Sequence, residues 1–267
     1  MNKYIIYTIL RQLRLIKFTD RLRFYISYIK STRARRFFLK ENPNVKLPPA
    51  YFMYETFNLN YQSFYNKSIE TAKWLISYFE KHIEVQNCHI LDWGCGPGRV
   101  IRHMPSLLSN TCTFYGTDYN KKYIDWCRRN INTVKFSSND LYPPMQYPDS
   151  QFDIIYGISI FTHLSKPAHL SWFKELMRVL KPGGILLLTL HGDIFKNKLT
   201  STEKAIYDEG KLVIKSYTKE GHRTFSAYQP KDFVIQLVAN NKILEHIPGK
   251  VINNKPEQDV WLIQKIK

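Results

Sequence analysis

Short apolar runs alternate with helical stretches along the chain from Cys88 to about His191. The apolar runs have the length and flanking turn residues of buried strands, at His89–Trp93, Thr113–Thr117, Val134–Ser137, Asp153–Gly157 and Ile185–His191. Apolar residues at helical spacing lie between them, at Arg99–Leu108, Lys121–Asn130 and His169–Leu180. Because strands that alternate with helices pair in parallel and are covered on both faces, this pattern predicts an α/β fold.

The alternation stops after Gly192. Residues 193–229 carry the pattern of a hairpin formed by Lys211–Tyr217 and Arg223–Tyr228, and we predict that they form a lid inserted into the sheet domain. The chain then returns to one helix and two strands, predicted at Lys231–Ala239, Ile243–Ile247 and Val260–Ile266.

The first 66 residues have a different pattern. Apolar residues recur at helical spacing from residue 4 to residue 29, with Arg and Lys on the other face. The prolines of Asn42-Pro43 and Leu47-Pro48-Pro49 then interrupt this pattern. We therefore predict a basic N-terminal helical extension and cap over residues 1–66, and the sheet domain with its lid over residues 67–267.

The net charge is +17, and residues 1–40 contribute +10 of it through eleven basic side chains and one acid, Asp20. A basic end of the chain suggests a local anionic partner. A basic helix with an apolar stripe can dock on its own domain, join a dimer or lie on an anionic membrane. Docking on the domain is the simplest arrangement and explains the stripe, whereas a membrane explains both the stripe and the charge.

The four cysteines show neither a C-x-x-C motif nor zinc spacing, so we interpret them as the reduced thiols of a cytoplasmic protein. Arg11 and Arg14 interrupt the apolar start, which argues against a secretory signal. The longest apolar run is far shorter than the ~18 residues that a spanning helix needs. We therefore expect a cytoplasmic protein, either free or peripheral at the inner membrane face.

The stretch Gly94–Gly98 follows the first predicted strand and precedes a helix, with the sequence Gly-Cys-Gly-Pro-Gly. Glycines there let the backbone turn tightly and let a ligand approach the N–H groups at a helix end. The stretch is not the dinucleotide fingerprint, because Arg99 stands where the third glycine would fall, and the chain has no P-loop motif. Taken alone, it could also be a plain turn between core elements.

Polar residues follow the second and third predicted strands. Asp118 ends the second strand, where a carboxylate can accept hydrogen bonds from both ribose hydroxyls of an adenosine. Asn139 and Asp140 follow the third strand, where a polar side chain can read the adenine edge. The stretch Arg178–Gly184 then ends a helix with glycine and leads into the fifth strand.

This ordered set of motifs resembles the class I S-adenosylmethionine-dependent methyltransferase family, most strongly over Cys88–Leu190. The resemblance implies a Rossmann-like, doubly wound, mostly parallel sheet with an antiparallel last strand, and S-adenosylmethionine as the cofactor. It implies that Asp92 and the glycine loop hold the methionine end, that Asp118 binds ribose, and that the residues after the third strand surround adenine. The candidate cofactor-binding residues are Asp92, Gly94, Cys95, Gly96, Arg99, Asp118, Tyr119, Asn139, Asp140, Leu141 and Ser159.

Further stretches resemble bacterial methyltransferases of surface-polysaccharide and natural-product pathways. These stretches are Asp125-Trp126-Cys127, Ser159–Leu164, Trp172 and Leu188–Gly192, and Pro48–Tyr65 resembles the N-terminal cap of that group. The implied reaction is methyl transfer by in-line displacement to a hydroxyl or carboxyl group of a small-molecule or glycan-linked acceptor.

Two histidines are the candidate catalytic residues. A hydroxyl acceptor must lose a proton. His191 lies at the carboxyl end of the predicted fifth strand and His163 follows the fourth, at the sheet edge where α/β folds place ligands. If His191 is the general base, turnover should follow an ionisation near neutral pH. The plainer alternatives are that His163 caps the helix near Pro167 and that His191 orients the loop at Gly192. No cluster has metal-ligand spacing, so we expect metal-independent transfer.

Two other functions fit part of the sequence. The positive charge suggests a nucleic-acid methyltransferase, but the fourth strand ends in Tyr156-Gly157-Ile158-Ser159 and not in an Asp/Asn-Pro-Pro-aromatic clamp, and the basic excess is terminal. We therefore do not expect nucleic acid as the substrate. A cofactor-binding protein without turnover is the other alternative, since intact binding residues predict binding of the cofactor and not its use.

Overall fold

The computed structural model describes residues 15–108, 110–215 and 218–266. The chain forms two compact units. Cys95–Ser138 and the described residues up to Asn87 make the first unit, and Cys88–Gly94 and the described residues from Asn139 onward make the second.

Helices and strands alternate along most of this chain. The described α-helices are α1 (Ile16–Lys30), α2 (Thr32–Glu41), α3 (Ala50–Thr56), α4 (Tyr61–Phe79), α5 (Met104–Leu107), α6 (Lys121–Asn130), α7 (Lys166–Val179), α8 (Ser201–Asp208) and α9 (Lys231–Leu237). The described strands are β1 (His89–Trp93), β2 (Thr113–Asp118), β3 (Lys135–Ser138), β4 (Phe152–Ile158), β5 (Leu180–Leu190), β6 (Val213–Lys215), β7 (Ser226–Tyr228), β8 (Lys242–Ile247), β9 (Val251–Ile252), β10 (Lys255–Pro256) and β11 (Asp259–Gln264). Short 3-10 helices lie at Ile101–His103, Phe161–His163 and Asp193–Lys198.

Seven strands form one sheet in the order β3-β2-β1-β4-β5-β11-β8. β2 pairs in parallel with β3, and β4 pairs in parallel with β1 and β5. β11 runs antiparallel to both of its neighbours, β5 and β8. The central strands β1 and β4 are apolar and largely buried, as expected for strands that are covered on both faces. The predicted Rossmann-like, mostly parallel sheet with an antiparallel last strand is confirmed.

The helix predicted at Arg99–Leu108 is shorter in the structure. Ile101–His103 form a 3-10 turn, and the α-helix α5 begins only at Met104. Pro105 lies in the first turn of α5, where its missing N–H is tolerated. Further inside a helix the same proline would remove a hydrogen bond, and this explains why the α-helix does not begin earlier.

The segment predicted as a lid contains the predicted hairpin and one additional helix. β6 and β7 pair antiparallel, which confirms the hairpin over Val213–Lys215 and Ser226–Tyr228, and residues 216 and 217 of the predicted first strand lie outside the described residues. α8, which the sequence analysis did not predict, begins with a capping box. Thr200 Oγ1 accepts the Glu203 N–H at 3.3 Å, and the Glu203 carboxylate accepts the Thr200 N–H at 2.8 Å.

α1 packs on α3 through one of its faces. The Phe24 ring lies against the rings of Tyr51 and Tyr54, with centroids 5.0 and 5.4 Å apart. The Tyr54 hydroxyl is 3.1 Å from a carboxylate oxygen of Asp20, which is buried. The part of the predicted apolar stripe before residue 15 lies outside the described residues. Among the helices that the structure describes, none combines the length and the apolar character needed to cross a membrane.

Candidate active site

The glycine loop after β1 is anchored to the end of β2. The Cys95 N–H donates to the Thr117 carbonyl at 2.9 Å, and the Gly96 N–H donates to Oδ2 of Asp118 at 2.9 Å. Gly96 has a φ of +55°, in the left-handed region, and a Cβ added to it would lie 3.1 Å from Cγ2 of Thr56. The loop therefore needs glycine at this position and presents bare backbone that a ligand can approach closely.

Asp118 is a buried carboxylate, 7% exposed, with both oxygens already bonded. Oδ1 accepts the Asn120 N–H at 2.8 Å, and Oδ2 accepts the Gly96 N–H. Burial raises the pKa of Asp118 to about 6, against the opposing effect of these two donors. Because each carboxylate oxygen can accept two hydrogen bonds, each keeps one acceptor position for a ligand hydroxyl. This geometry suits the predicted ribose site.

The helix α3 contributes side chains near the same loop, which the sequence analysis did not select individually. Thr56 lies against Gly96, as described above. The Tyr123 hydroxyl, on α6, donates to Oε2 of Glu55 at 2.6 Å. Glu55 and Tyr123 are 68 positions apart, and no local sequence pattern links them. The segment predicted to be a cap is thus tied to the elements that follow the glycine loop.

Two further cofactor candidates flank this region of the first unit. The guanidinium of Arg99 lies over the Phe57 ring, 4.4 Å from its centroid. Tyr119 is 37% exposed. Partial burial of Tyr119, together with the neighbouring Asp118 charge, raises the pKa of its hydroxyl to about 12. The Tyr119 hydroxyl is therefore neutral at physiological pH and can donate or accept a hydrogen bond.

The remaining cofactor candidates belong to the second unit. Asp92, in β1, is buried, with 5% exposure. The Asn139 side-chain amide donates to the backbone carbonyl of Asp140 at 2.6 Å, and the Asp140 residue itself is exposed. The Leu141 carbonyl accepts the indole N–H of Trp172 at 2.9 Å. The segment after β3 is therefore anchored to α7 through its backbone.

Gly94 and Ser159 both have positive φ angles, +76° and +64°. A Cβ on Gly94 would overlap the Ile160 side chain, so only glycine fits there. Ser159 is held in its unusual conformation by hydrogen bonds: its N–H donates to Thr189 Oγ1 at 2.8 Å, and its Oγ accepts from Gln258 Nε2 at 2.7 Å. Strained conformations that the surroundings hold in this way are concentrated at functional sites.

The tautomer of His191, directly after β5, is fixed by a backbone hydrogen bond. Its Nδ1 lies 3.0 Å from the Ala227 carbonyl. Because a carbonyl can only accept, Nδ1 carries the proton and Nε2 keeps its lone pair. Burial lowers the pKa of His191 to about 3, so the ring is neutral at physiological pH. Burial disfavours the charged form of His191, which argues against the ionisation near neutral pH that the sequence suggested for it.

His163 is held in the same way. Its Nδ1 lies 2.9 Å from the Phe225 carbonyl, and burial lowers its pKa. The alternative prediction that His163 caps α7 is wrong. The N-cap is Ser165, whose Oγ accepts the Ala168 N–H at 3.4 Å. Phe225 and the His191 partner Ala227 are two positions apart, so one segment of the hairpin orients both imidazole rings.

Gln229 and His169 form a buried pair that the sequence analysis did not identify. Oε1 of Gln229 accepts the backbone N–H of His191 at 3.0 Å. The Gln229 Nε2 lies 3.1 Å from Nε2 of His169, whose Nδ1 is 2.8 Å from the Ser165 carbonyl. His169 therefore carries its proton on Nδ1 and accepts from Gln229. The pair joins residues 60 positions apart, which no short motif reveals.

The candidates thus fall into two groups. In the first unit the structure brings together Cys95, Gly96, Arg99, Asp118 and Tyr119. In the second unit lie Asp92, Gly94, Asn139, Asp140, Leu141, Ser159, His163 and His191. Within the described ranges, no group of three or more His, Cys, Asp or Glu residues could hold a metal ion.

Comparison with known proteins shows which proteins this chain resembles. Residues 90–184 match the family model described as a methyltransferase domain. A SAM-dependent methyltransferase from Methanosarcina mazei has a similar structure, with a TM-score of 0.53 and 19% sequence identity, over 71% of this chain and 97% of that chain. The fold is thus that of an S-adenosylmethionine-dependent methyltransferase, and the prediction of S-adenosylmethionine as cofactor is confirmed.

Curated relatives share part of the chain. A sterol 24-C-methyltransferase of Schizosaccharomyces pombe is 30% identical over 101 residues, which are 36% of this chain and 26% of that protein. A tRNA N(3)-methylcytidine methyltransferase of the same organism is 26% identical over 196 residues, which are 67% of this chain and 61% of that protein. The chain spans less than two thirds of the length of either relative.

Proposed function

We propose that this chain transfers a methyl group from S-adenosylmethionine to a hydroxyl group of a small-molecule or glycan-linked acceptor. The observation that carries this proposal is the fixed tautomer of His191, which leaves a lone pair on Nε2. His191 lies directly after the carboxyl end of β5. Open α/β sheets bind their ligands at that edge. The roles of individual residues given below are part of the same proposal.

The first-unit residues suit the cofactor. The glycine loop offers unhindered backbone, and Asp118 keeps one acceptor position on each carboxylate oxygen for the ribose hydroxyls. Asp92 and the loop would hold the methionine end, and Asn139, Asp140 and Leu141 would surround adenine. Arg99, Tyr119 and Ser159 would flank these groups. When bound, the cofactor supplies an activated methyl group on a sulfonium, together with its own leaving group.

The protein would contribute alignment and a path for one proton. The neutral Nε2 of His191 would accept the hydrogen bond of an acceptor hydroxyl and so orient its oxygen. During the transfer, the hydroxyl proton would pass to Nε2 and then to water. A pKa of about 3 makes His191 a weak base. The oxygen becomes strongly acidic as it is alkylated, so a weak base suffices late in the step.

This geometry favours a hydroxyl over the alternative carboxyl acceptor. A carboxylate would place negative charge beside a lone pair on Nε2, and it offers no hydrogen for that lone pair to accept. His163, whose tautomer is fixed in the same way, would be a second acceptor for substrate hydroxyl groups. An acceptor with several hydroxyls, such as a sugar, could engage both rings. This supports the glycan-linked acceptor that the bacterial resemblance suggests.

A tRNA substrate is the main competing proposal, and the tRNA methyltransferase among the relatives motivates it together with the net charge of +17. Transfer of a labelled methyl group from S-adenosylmethionine into separated small-molecule, glycan, lipid and RNA fractions distinguishes the two. We expect the label in a small-molecule or glycan fraction. Treatment with a nuclease that is free of glycosidase activity should remove none of this label. Label confined to nuclease-sensitive RNA would refute the proposed acceptor class, and an Asp118→Ala variant provides the control for cofactor-dependent labelling.

A further inference from the structure

The helix α1 has a second apolar face that the described structure leaves open. This face, here called the exposed stripe, consists of Leu15, Phe18, Leu22, Tyr25, Ile26 and Ile29. Phe18 is 71% exposed and Ile29 is 73% exposed. At about 100° per residue, these six side chains fall within one sector of roughly 100° around the helix. They therefore form a continuous strip and are not isolated surface residues.

The exposed stripe lies opposite the face that docks on α3. Phe24 and Asp20, which contact Tyr51 and Tyr54, are placed on the other side of the helix by the same periodicity. The docking of α1 is thus complete without the stripe. Each of these apolar side chains is at least 45% exposed in the part of the chain that the structure describes.

The exposed charged side chains that α1 itself carries beside the stripe are basic. Arg21, Arg23 and Lys30 are exposed on α1 and flank the stripe on its two sides. The acid of this helix, Asp20, is buried at 7% exposure and contacts the Tyr54 hydroxyl. An occupant of this surface must therefore bury apolar side chains and accept positive charge at the edges.

We infer that α1 binds an anionic lipid surface, with the exposed stripe in the boundary between headgroups and acyl chains. Apolar side chains gain from this boundary, and anionic headgroups attract the flanking basic residues. A second copy of the chain is a poorer occupant, because Arg21, Arg23 and Lys30 of both copies would face like charges. Nucleic acid would match the charge but would leave the apolar side chains without a partner. This inference does not depend on the proposed methyl transfer.

Vesicle flotation with the full chain tests the inference. The probes are neutral phosphatidylcholine vesicles and vesicles that also contain phosphatidylglycerol, at low and high salt. We expect flotation with the anionic vesicles at low salt and little with the neutral ones. Phe18→Ser/Ile29→Ser should weaken binding at least ten-fold, since each substitution removes an apolar side chain from the lipid. Arg21→Gln/Arg23→Gln should weaken it roughly 30-fold at low salt.

A matched variant controls for a general loss of surface hydrophobicity. Leu170 and Ile235 are 54% and 42% exposed on other helices, so Leu170→Ser/Ile235→Ser should float like the parent. All variants retain residues 1–14, so any lipid binding by that segment is common to them. Circular dichroism confirms that each variant is folded. Equal flotation of Phe18→Ser/Ile29→Ser and the parent would overturn the inference, as would sedimentation showing a dimer that this variant dissociates.

Discussion

At the scale of single residues, the two most informative groups are Asp118 and His191, because burial moves their pKa values in opposite senses. Burial raises the pKa of the Asp118 carboxyl to about 6 and lowers the pKa of the His191 imidazole to about 3. In both cases burial favours the neutral form. The two groups therefore predict different pH dependences for cofactor binding and for turnover.

Cofactor affinity should fall as the pH is lowered through about 6. Above this pH the Asp118 carboxylate is ionised and has an acceptor position for each ribose hydroxyl, whereas protonation removes an acceptor. Calorimetric titration with S-adenosylmethionine between pH 5 and pH 8 measures this effect. Asp118→Asn should bind more weakly and without this pH dependence. A parent affinity that is constant across the range would remove Asp118 from the ribose site.

His191→Gln should lower turnover by roughly 10²-fold with little change in cofactor affinity, because it removes the proton acceptor for the hydroxyl. In the parent, His191 stays neutral from pH 5.5 to 8.5. Turnover at saturating cofactor should therefore show no step near pH 6.5 that originates from this residue. The check is a pH profile of parent and variant. A step in the parent that disappears in His191→Gln would contradict the neutral-imidazole role.

At the scale of elements, one close contact joins the end of β5 to the start of β11. Gly192 has φ −83° and ψ −156°, angles that alanine can adopt, but a Cβ there would overlap the Asp259 carboxylate. That carboxylate is also held in place, since Oδ2 is 2.9 Å from His246 Nε2 and Oδ1 accepts the Gly249 N–H at 2.9 Å. Gly192 is thus required by packing and not by its own backbone angles.

Gly192→Ala should therefore lower the free energy of unfolding by about 1–3 kcal/mol, the usual cost of overpacking. Chemical denaturation measures this loss. In an Asp259→Ala background the same substitution should cost much less, because the group that it meets is gone. An equal cost in both backgrounds would show that the strain arises elsewhere.

Elements with strong local patterns could be predicted from the sequence, and elements that depend on distant partners could not. β1 and α6 have their predicted bounds, because each combines a clear apolar pattern with flanking turn or capping residues. α8 has a recognisable local signal in the capping box Thr200-x-x-Glu203, although the sequence analysis predicted only a hairpin in this segment. The hairpin of β9 and β10 turns at Asn253 and Asn254, both with positive φ, also a recognisable signal.

The candidate site likewise has parts that the sequence predicts and parts that depend on distant contacts. The glycine loop and Asp118 follow strand ends, so their meeting could be expected from the rule that parallel strands end at one edge. The fixed tautomer of His191 depends on the Ala227 carbonyl, 36 positions away, and the Gln229–His169 pair spans 60 positions. Sequence spacing carries no information on such contacts, and the lowered pKa of His191 follows from them.

At the scale of the whole molecule, the fold identifies the cofactor more firmly than the acceptor. The two relatives compared above act, by their names, on a sterol and on a tRNA cytidine. One methyltransferase fold thus serves acceptors of very different chemistry, and the acceptor must be argued from the site. In this chain, two neutral imidazole rings that one hairpin orients favour the proposed hydroxyl acceptor. We propose that the basic residues of α1 contribute to lipid binding and not to the choice of acceptor.

The central claim is that this chain binds S-adenosylmethionine through the glycine loop and Asp118. Isothermal titration calorimetry of parent and Asp118→Ala at pH 7.5 tests it most directly. The parent should bind, and the variant should bind tens-fold more weakly, because a hydrogen bond to a charged group contributes about 1.5–3 kcal/mol. Circular dichroism establishes that the variant is folded. A folded variant that binds as tightly as the parent, or a parent that does not bind S-adenosylmethionine, would contradict the claim.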